Sequence, residues 1–282
     1  MKTAVVICPG RGTYNKTELG WLGRHFADRA LLSEFDRRRV AAGRTPLADL
    51  DGAASFSVAT HTRGDNASAL IYAATIGDFA AIGEDVEVVA VTGNSMGWYS
   101  ALACGGAVSA LDGFEIVDTM GSLMQERLIG GQTIYPFVDD DWRPNPARKA
   151  ELLALVAEIG ARPGHALALS IDLGGILVVA GDEAGLTAFE KSVPPVQGRF
   201  PLRLANHAAF HTKLQAPVAA ARRPGRRVAV ATYLLMPGFF HGRVLAAGAD
   251  LTAAPLLAGE PAAALVELIV SRFRHALHQR AA

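Results

Sequence analysis

The apolar positions of the first 130 residues switch between the period of a strand and that of a helix. Ala4 to Cys8 is a short β-rich run that stops at Pro9-Gly10-Arg11-Gly12, which fits a buried strand followed by a glycine loop. Leu19 to Phe35 carries a helical period. So does Asn66 to Ala81, with Asn66 or Ser68 as its N-cap and Leu70, Ile71, Ala74 and Phe79 on one side. Val86 to Val91 reads as a buried strand running straight into Thr92-Gly93-Asn94-Ser95-Met96-Gly97. A helix from Trp98 to Cys104 follows, closed by Gly105-Gly106. Leu111 to Glu126 is a further helix, with Ile116, Val117, Met120, Leu123 and Met124 at helical spacing.

The middle of the chain has its own order. Thr133 to Val138 reads as a strand, Pro146 to Gly160 as an amphipathic helix, and Ala166 to Leu173 and Ile176 to Ala180 as two strands joined at Gly174-Gly175. A helix from Glu183 to Val193 and a strand from Phe200 to Ala205 complete a β-α-β-β-α-β pattern, the ferredoxin-like order. The expected architecture is α/β. A large subdomain with a parallel sheet spans residues 1–128 and 204–282, and a small ferredoxin-like subdomain is inserted at residues 129–203.

The last 65 residues differ. From Val218 onward there are eight arginines, no lysine, no asparagine and only three acids, Asp250, Glu260 and Glu267. A helix over Glu260 to His278 and a strand over Val228 to Leu235 are the elements this part suggests. Its Ala-Leu-Arg-Pro composition looks like GC-rich coding read in another frame, which predicts poor order over residues 221–258 and is checked by resequencing across the codons for 215–225.

Composition narrows the function classes. With 27 basic and 27 acidic side chains the formal net charge is zero, which argues against a nucleic-acid binder. Half the residues are hydrophobic, which excludes a highly charged disordered chain. Two cysteines, Cys8 and Cys104, cannot frame a disulfide scaffold and suit a reducing compartment. The apolar run before Pro9 is too short for a secretory signal, and no uninterrupted apolar stretch reaches the ~18 residues of a membrane span. A cytoplasmic protein with no membrane partner is expected.

Gly93-Asn94-Ser95-Met96-Gly97 is a G-x-S-x-G run between a predicted strand and a predicted helix, the context in which that motif has a mechanism. The sharp turn requires small neighbours, and the serine hydroxyl then projects where free backbone N–H groups can stabilise an oxyanion. A serine nucleophile needs a base. Of the eight histidines, His61 is expected in a polar loop, and His275 and His278 share a helix face without carboxylate or thiol companions. His207 and His211 follow the last strand of the insert, where the chain re-enters the main body, and spacing alone leaves both open. No metal or nucleotide motif is present, since Pro9-Gly10-Arg11-Gly12 lacks the Lys-Ser/Thr of a P-loop.

Four segments resemble the malonyl-CoA:acyl-carrier-protein transacylase family, which includes the acyltransferase domains of polyketide synthases. Pro9-Gly10-Arg11-Gly12-Thr13 is similar to its PGQGS loop, and Gly93 to Leu102 to its GHSxGEYSAL elbow. Ala209-Phe210-His211-Thr212 is similar to its PFHS or AFHT motif, and Gly121 to Glu126 to a helix ending in LMQE. The resemblance covers about residues 3–217. It implies acyl transfer from acyl-CoA to acyl carrier protein, with Ser95 as nucleophile, His211 as base, the backbone N–H groups of Met96 and Arg11 as oxyanion hole, no bound cofactor, and a monomer. In the family a carbonyl from the C-terminal part of the fold orients the histidine.

The chain departs from that pattern at the acyl pocket. Malonyl-selective members carry an arginine where this chain has Met120, so the partner of a free carboxylate is absent. Either the acyl group is not malonyl, or Arg11, which replaces a glutamine, supplies the cation. Asn94 stands in place of a histidine and Trp98 in place of a glutamate, with the Trp98 indole expected to line or narrow the acyl tunnel. A carrier-linked acyl thioesterase or other serine hydrolase, and a degenerate family member without activity, are the rival readings.

Overall fold

The structure, a computed structural model, describes residues 2–219, 229–230 and 251–252. The chain divides into two compact units, Met1–Gln215 and Ala216–Ala282. The helix and strand suggested for the last 65 residues, and the poor order expected of residues 221–258, fall almost wholly outside the described residues. In the second unit the described elements are a short helix, Ala216–Ala219, and a two-residue parallel pairing of Ala229–Val230 with Leu251–Thr252.

The first unit is mixed α/β. Strand β1 (Lys2–Cys8) pairs in parallel with β2 (Val86–Gly93), a register that sets Cys8 opposite Gly93. Between them run α1 (Trp21–His25), α2 (Arg29–Ala41), α3 (Leu47–Asp51), α4 (Val58–His61) and α5 (Gly64–Ala80). After β2 come α6 (Gly97–Cys104) and α7 (Ala110–Glu126). The core under these helices centres on α5, which is buried along nearly its whole length. Phe35 stacks on Phe114 at 4.2 Å between ring centroids and meets Tyr72 edge-on, which ties α2, α5 and α7 together.

The remaining elements form a separate antiparallel sheet. Strands β3 (Gly131–Pro136), β4 (Leu167–Asp172), β5 (Ile176–Gly181) and β6 (Leu202–Arg203) lie in the order β4-β5-β3-β6. Helices α8 (Pro146–Gly160) and α9 (Glu183–Ser192) fill the connections, and Leu152, Val156, Ile159, Leu186 and Phe189 are their buried apolar side chains. Tyr135 and Phe189 meet edge-on at the centre of this second core.

Several expectations are corrected. The helix predicted over Leu19–Phe35 is two helices. Phe26 is extended, and the Asp28 carboxylate caps α2 by accepting the Leu31 N–H at 2.9 Å, a local bond that outweighs continuation of the helical period. Neither Asn66 nor Ser68 caps α5, which begins at Gly64. Asn66 is buried inside it, accepting from Arg39 Nη2 at 2.8 Å and donating to the Thr60 carbonyl at 3.0 Å. The β1–β2 pair is not buried on both faces. Cys8, Val6 and Val91 turn to the core, while Val5 and Ile7 on the alternate positions of β1 are exposed, as is Val89, which the register skips at a bulge between Val88 and Ala90. The last strand is two residues long, with Pro201, which has no N–H for a ladder, just before it. His61 is not in a polar loop: it is buried at the end of α4 with Nε2 3.0 Å from the Leu50 carbonyl.

Candidate active site

The turn from β2 into α6 is built by glycine. A Cβ on Gly97 would run into the Cys8 carbonyl, and one on Gly93 into the backbone of Gly97. The elbow can therefore close only with glycine at both positions. The Asn94 N–H donates to the Cys8 carbonyl at 3.1 Å, which fastens the turn to the end of β1. Ser95 between them has φ of 53°, a left-handed conformation that costs a β-carbon residue energy and lifts its side chain off the sheet.

Ser95 Oγ and His211 Nε2 lie 2.9 Å apart, within hydrogen-bond reach, although 116 residues separate them in sequence. His211 also has a positive φ, 60°. Of the two histidines left open by spacing, this is the one the fold brings to the serine. His211 is solvent-accessible, yet desolvation by the protein packed around it lowers its pKa from the ordinary value. Among the described residues Nδ1 has no hydrogen-bond partner, and the carbonyl expected to orient it falls outside them.

The amides next to the serine are distributed unevenly. Gly97 N–H donates to the Asn94 carbonyl at 2.8 Å and Trp98 N–H to the Ser95 carbonyl at 3.1 Å. Among the described residues the Met96 and Arg11 N–H groups donate to no acceptor.

A cavity of about 210 Å³ opens at the pair. Its apolar wall comes from α7, where Val117, Met120, Gly121 and Met124 follow helical spacing, with Tyr99, Ile171 and Phe210 adding to it. Asn94, Met96 and Arg11 line it as well. Trp98 does not. It is 44% exposed because the inward face of α6 is Gly97, Ser100, Ala101 and Cys104, and the next residue along points away from that stripe. Tyr99 takes the place expected of Trp98.

Arg11 is held inside the protein. Its Nη2 donates to the Thr62 carbonyl at 2.6 Å and the Asn206 carbonyl at 3.2 Å, and its guanidinium lies 5.3 Å from the Phe210 ring centroid. Its Nε is buried and has no partner among the described residues, and desolvation lowers its pKa to about 10. The bond to Asn206 joins the loop after β1 to the loop that carries His211, and the bond to Thr62 ties it to the end of α4.

That second loop is also held by the antiparallel sheet. Ser170 Oγ of β4 donates to the Phe210 carbonyl at 2.9 Å, and Gln132 Nε2 of β3 donates to Ser170 Oγ at 2.7 Å. His207 Nδ1 lies 2.8 Å from Gln132 Oε1. Ala209 N–H reaches the Ile129 carbonyl at 2.8 Å, and Gln215 Nε2 reaches the same carbonyl at 3.0 Å. Sequence patterns singled out neither Gln132 nor Ser170, because single polar residues on strands leave no periodic mark.

Comparison with solved structures finds the same fold in transacylases. An acyl-carrier-protein S-malonyltransferase from Burkholderia pseudomallei 1710b is 23% identical, with a TM-score of 0.55 over 78% of this chain and 67% of that one. A type II PKS acyl-carrier protein in complex with its malonyl-transacylase matches at 18% identity and a TM-score of 0.58, over 78% and 67%. The malonyl CoA-acyl carrier protein transacylase of Coxiella burnetii matches at 17% and 0.57, over 78% and 66%. The chain thus spans about two thirds of the length of these proteins, and at such identities the likeness is one of fold. No family model and no curated protein sequence matches the chain.

Proposed function

We propose that this protein is a serine acyltransferase that carries an acyl group from coenzyme A to acyl carrier protein through an acyl-enzyme at Ser95. The observation that carries this reading is the 2.9 Å approach of Ser95 Oγ to His211 Nε2 at a strained strand-to-helix elbow. The hydrogen bond lets His211 take the hydroxyl proton as Oγ attacks the thioester carbonyl. The unspent N–H groups of Met96 and Arg11 are suited to the oxyanion that forms. Collapse expels the CoA thiolate, which takes the proton back from the imidazolium. The pantetheine thiol of the carrier protein then gives its proton to His211 and attacks the Ser95 ester, and the serine oxygen leaves with that proton. An activated thioester makes a Ser–His pair sufficient. No resident cofactor enters these steps.

The acyl group in this reading is short and not carboxylated, because Met120, Val117 and Met124 make the wall where a carboxylate partner is expected. The α/β unit with its elbow is read as the hydrolase-like subdomain, and the sheet β4-β5-β3-β6 with α8 and α9 as the ferredoxin-like one. In this reading the enzyme is cytoplasmic and monomeric; among the described residues no helix is long and apolar enough to cross a membrane.

The deciding experiment is labelling by a serine-directed fluorophosphonate in the native chain and in Ser95→Ala. An adduct confined to the native chain, and an acyl-enzyme that passes its acyl group to acyl carrier protein faster than to water, is the expected result. A second reading, a carrier-linked thioesterase, is favoured by the solvent exposure of the Ser95–His211 pair. It requires the acyl-enzyme to hydrolyse at the same rate with and without carrier protein. Absence of any Ser95-dependent adduct favours a degenerate member without activity.

A further inference from the structure

The hydrogen-bond chain that ends at His207 has a fixed polarity. The Phe210 carbonyl can only accept, so the Ser170 O–H donates to it. The Ser170 oxygen must then accept from Gln132, which fixes the Gln132 amide with its N–H₂ toward Ser170 and its oxygen toward His207. His207 Nδ1 therefore carries a proton, and Nε2 is left as a lone pair. Among the described residues Nε2 has no partner, and the residue lines the same cavity as Ser95.

We propose that His207 is a specificity residue of this cavity, its Nε2 acceptor selecting short acyl chains that carry a hydroxyl over those that carry none. The inference rests on the acyl-transfer reading of Ser95. An alkyl chain packed against Nε2 strips it of water and returns no hydrogen bond, whereas a hydroxyl donates to it. Arg11 adds a donor on the same wall: both residues pack on the Phe210 ring, and the guanidinium keeps N–H capacity beyond the two carbonyls on Nη2. A hydroxyl can donate to His207 and accept from Arg11. A carboxylate brings only acceptors and meets the Nε2 lone pair unfavourably. Burial and the nearby Arg11 charge hold the His207 pKa down at about 3, so the ring stays neutral at working pH. The volume, about 210 Å³, is below the ~300 Å³ at which drug-sized ligands are housed and suits a short chain.

The test compares 3-hydroxybutyryl-CoA, as each enantiomer, with butyryl-CoA and malonyl-CoA in Ser95 acylation, followed by intact mass. In the native chain one hydroxybutyryl enantiomer is expected to exceed butyryl by about tenfold in kcat/KM, the worth of one such bond, and to exceed malonyl as well. The hydroxybutyryl-to-butyryl ratio should fall to near one in His207→Phe and be kept in part in His207→Gln, whose amide oxygen can still accept. A ratio near one in the native chain overturns the proposal without recourse to any variant. A ratio unchanged in His207→Phe overturns it too. Fluorophosphonate labelling separates the two levels: a native chain that takes no label at Ser95 defeats the acyl-transfer reading, and one that labels but shows no hydroxyl preference defeats this inference alone.

Discussion

Ser170 holds the Phe210 carbonyl at 2.9 Å, one peptide away from His211, the base of the proposed mechanism. The antiparallel sheet thereby fixes the loop whose histidine meets Ser95 in the turn after β2. Removing the hydroxyl in Ser170→Ala is expected to slow acylation about 10- to 100-fold with little change in KM, as slight misplacement of a catalytic group does. Global stability should fall by about 1 kcal/mol, the net worth of one hydrogen bond. Ser170→Thr keeps the hydroxyl and should restore most of the rate. Single-turnover acylation together with thermal melts checks both; a melt shift without a rate change would reduce Ser170 to a structural role.

Gly97→Ala tests the elbow itself. The added methyl collides with the Cys8 carbonyl, which belongs to backbone and cannot swing aside. The elbow must open or β1 must shift, at a cost of at least about 1–3 kcal/mol for overpacking. Fluorophosphonate labelling of Ser95 should be lost while the far-ultraviolet circular dichroism is kept. Full labelling in this variant would show that the turn has slack that its geometry denies.

The elbow and the β-α-β-β-α-β order were legible in the sequence because each is encoded in contiguous residues: a strand period, a glycine-flanked turn, a helix period. What escaped the pattern depends on contacts between distant segments. The break after Phe26 comes from a capping carboxylate that competes with a good helical stripe. Arg39, a charged residue in an exposed-looking Arg-rich run, is fully buried because Asp118 and Asn66 receive it at 2.6 and 2.8 Å. The choice of Tyr99 over Trp98 turned on a helix phase fixed by the first turn of α6, where Gly97 must face Cys8. Gln132, Ser170 and His207 meet only in three dimensions, so their chain had no signature in one.

The lowered pKa of His211 sets the direction of the pH–rate profile. In the proposed mechanism His211 acts as neutral imidazole, so kcat/KM for acylation should rise with pH and level off. Desolvation disfavours the imidazolium, which places the inflection below the ordinary ~6.5 for histidine. An inflection at or above that value in the native chain would contradict the packing around the ring.

His207 makes a separate prediction for stability. Its folded-state pKa, about 3, lies below the ~6.5 of the unfolded chain. Between those values the unfolded state binds a proton that the folded state refuses. Stability is therefore complete above about pH 6.5 and declines as pH falls toward 3. Urea midpoints measured from pH 7 to 4 should fall less steeply in His207→Phe than in the native chain, whatever their absolute offset. Equal slopes would show that the ring is protonated in the fold.

Met120→Arg tests why the acyl wall is apolar. The substituted cation would stand among Val117, Met124 and Gly121 with no anion facing it, and Arg11 on the same cavity adds like charge. Without ligand the variant should melt below the native chain, because a buried charge left unpaired is costly. Malonyl-CoA supplies the missing carboxylate, and a charge-assisted bidentate pair is among the strongest hydrogen-bonded contacts available. The malonyl-to-acetyl ratio of acylation kcat/KM should therefore rise by at least about tenfold, given the ~1.5–3 kcal/mol of a bond to a charged group. The native chain should acylate slowly with malonyl. Fast malonyl acylation there, abolished by Arg11→Ala and not improved by Met120→Arg, would transfer the carboxylate-binding role to Arg11 and refute the assignment of an uncharged acyl group.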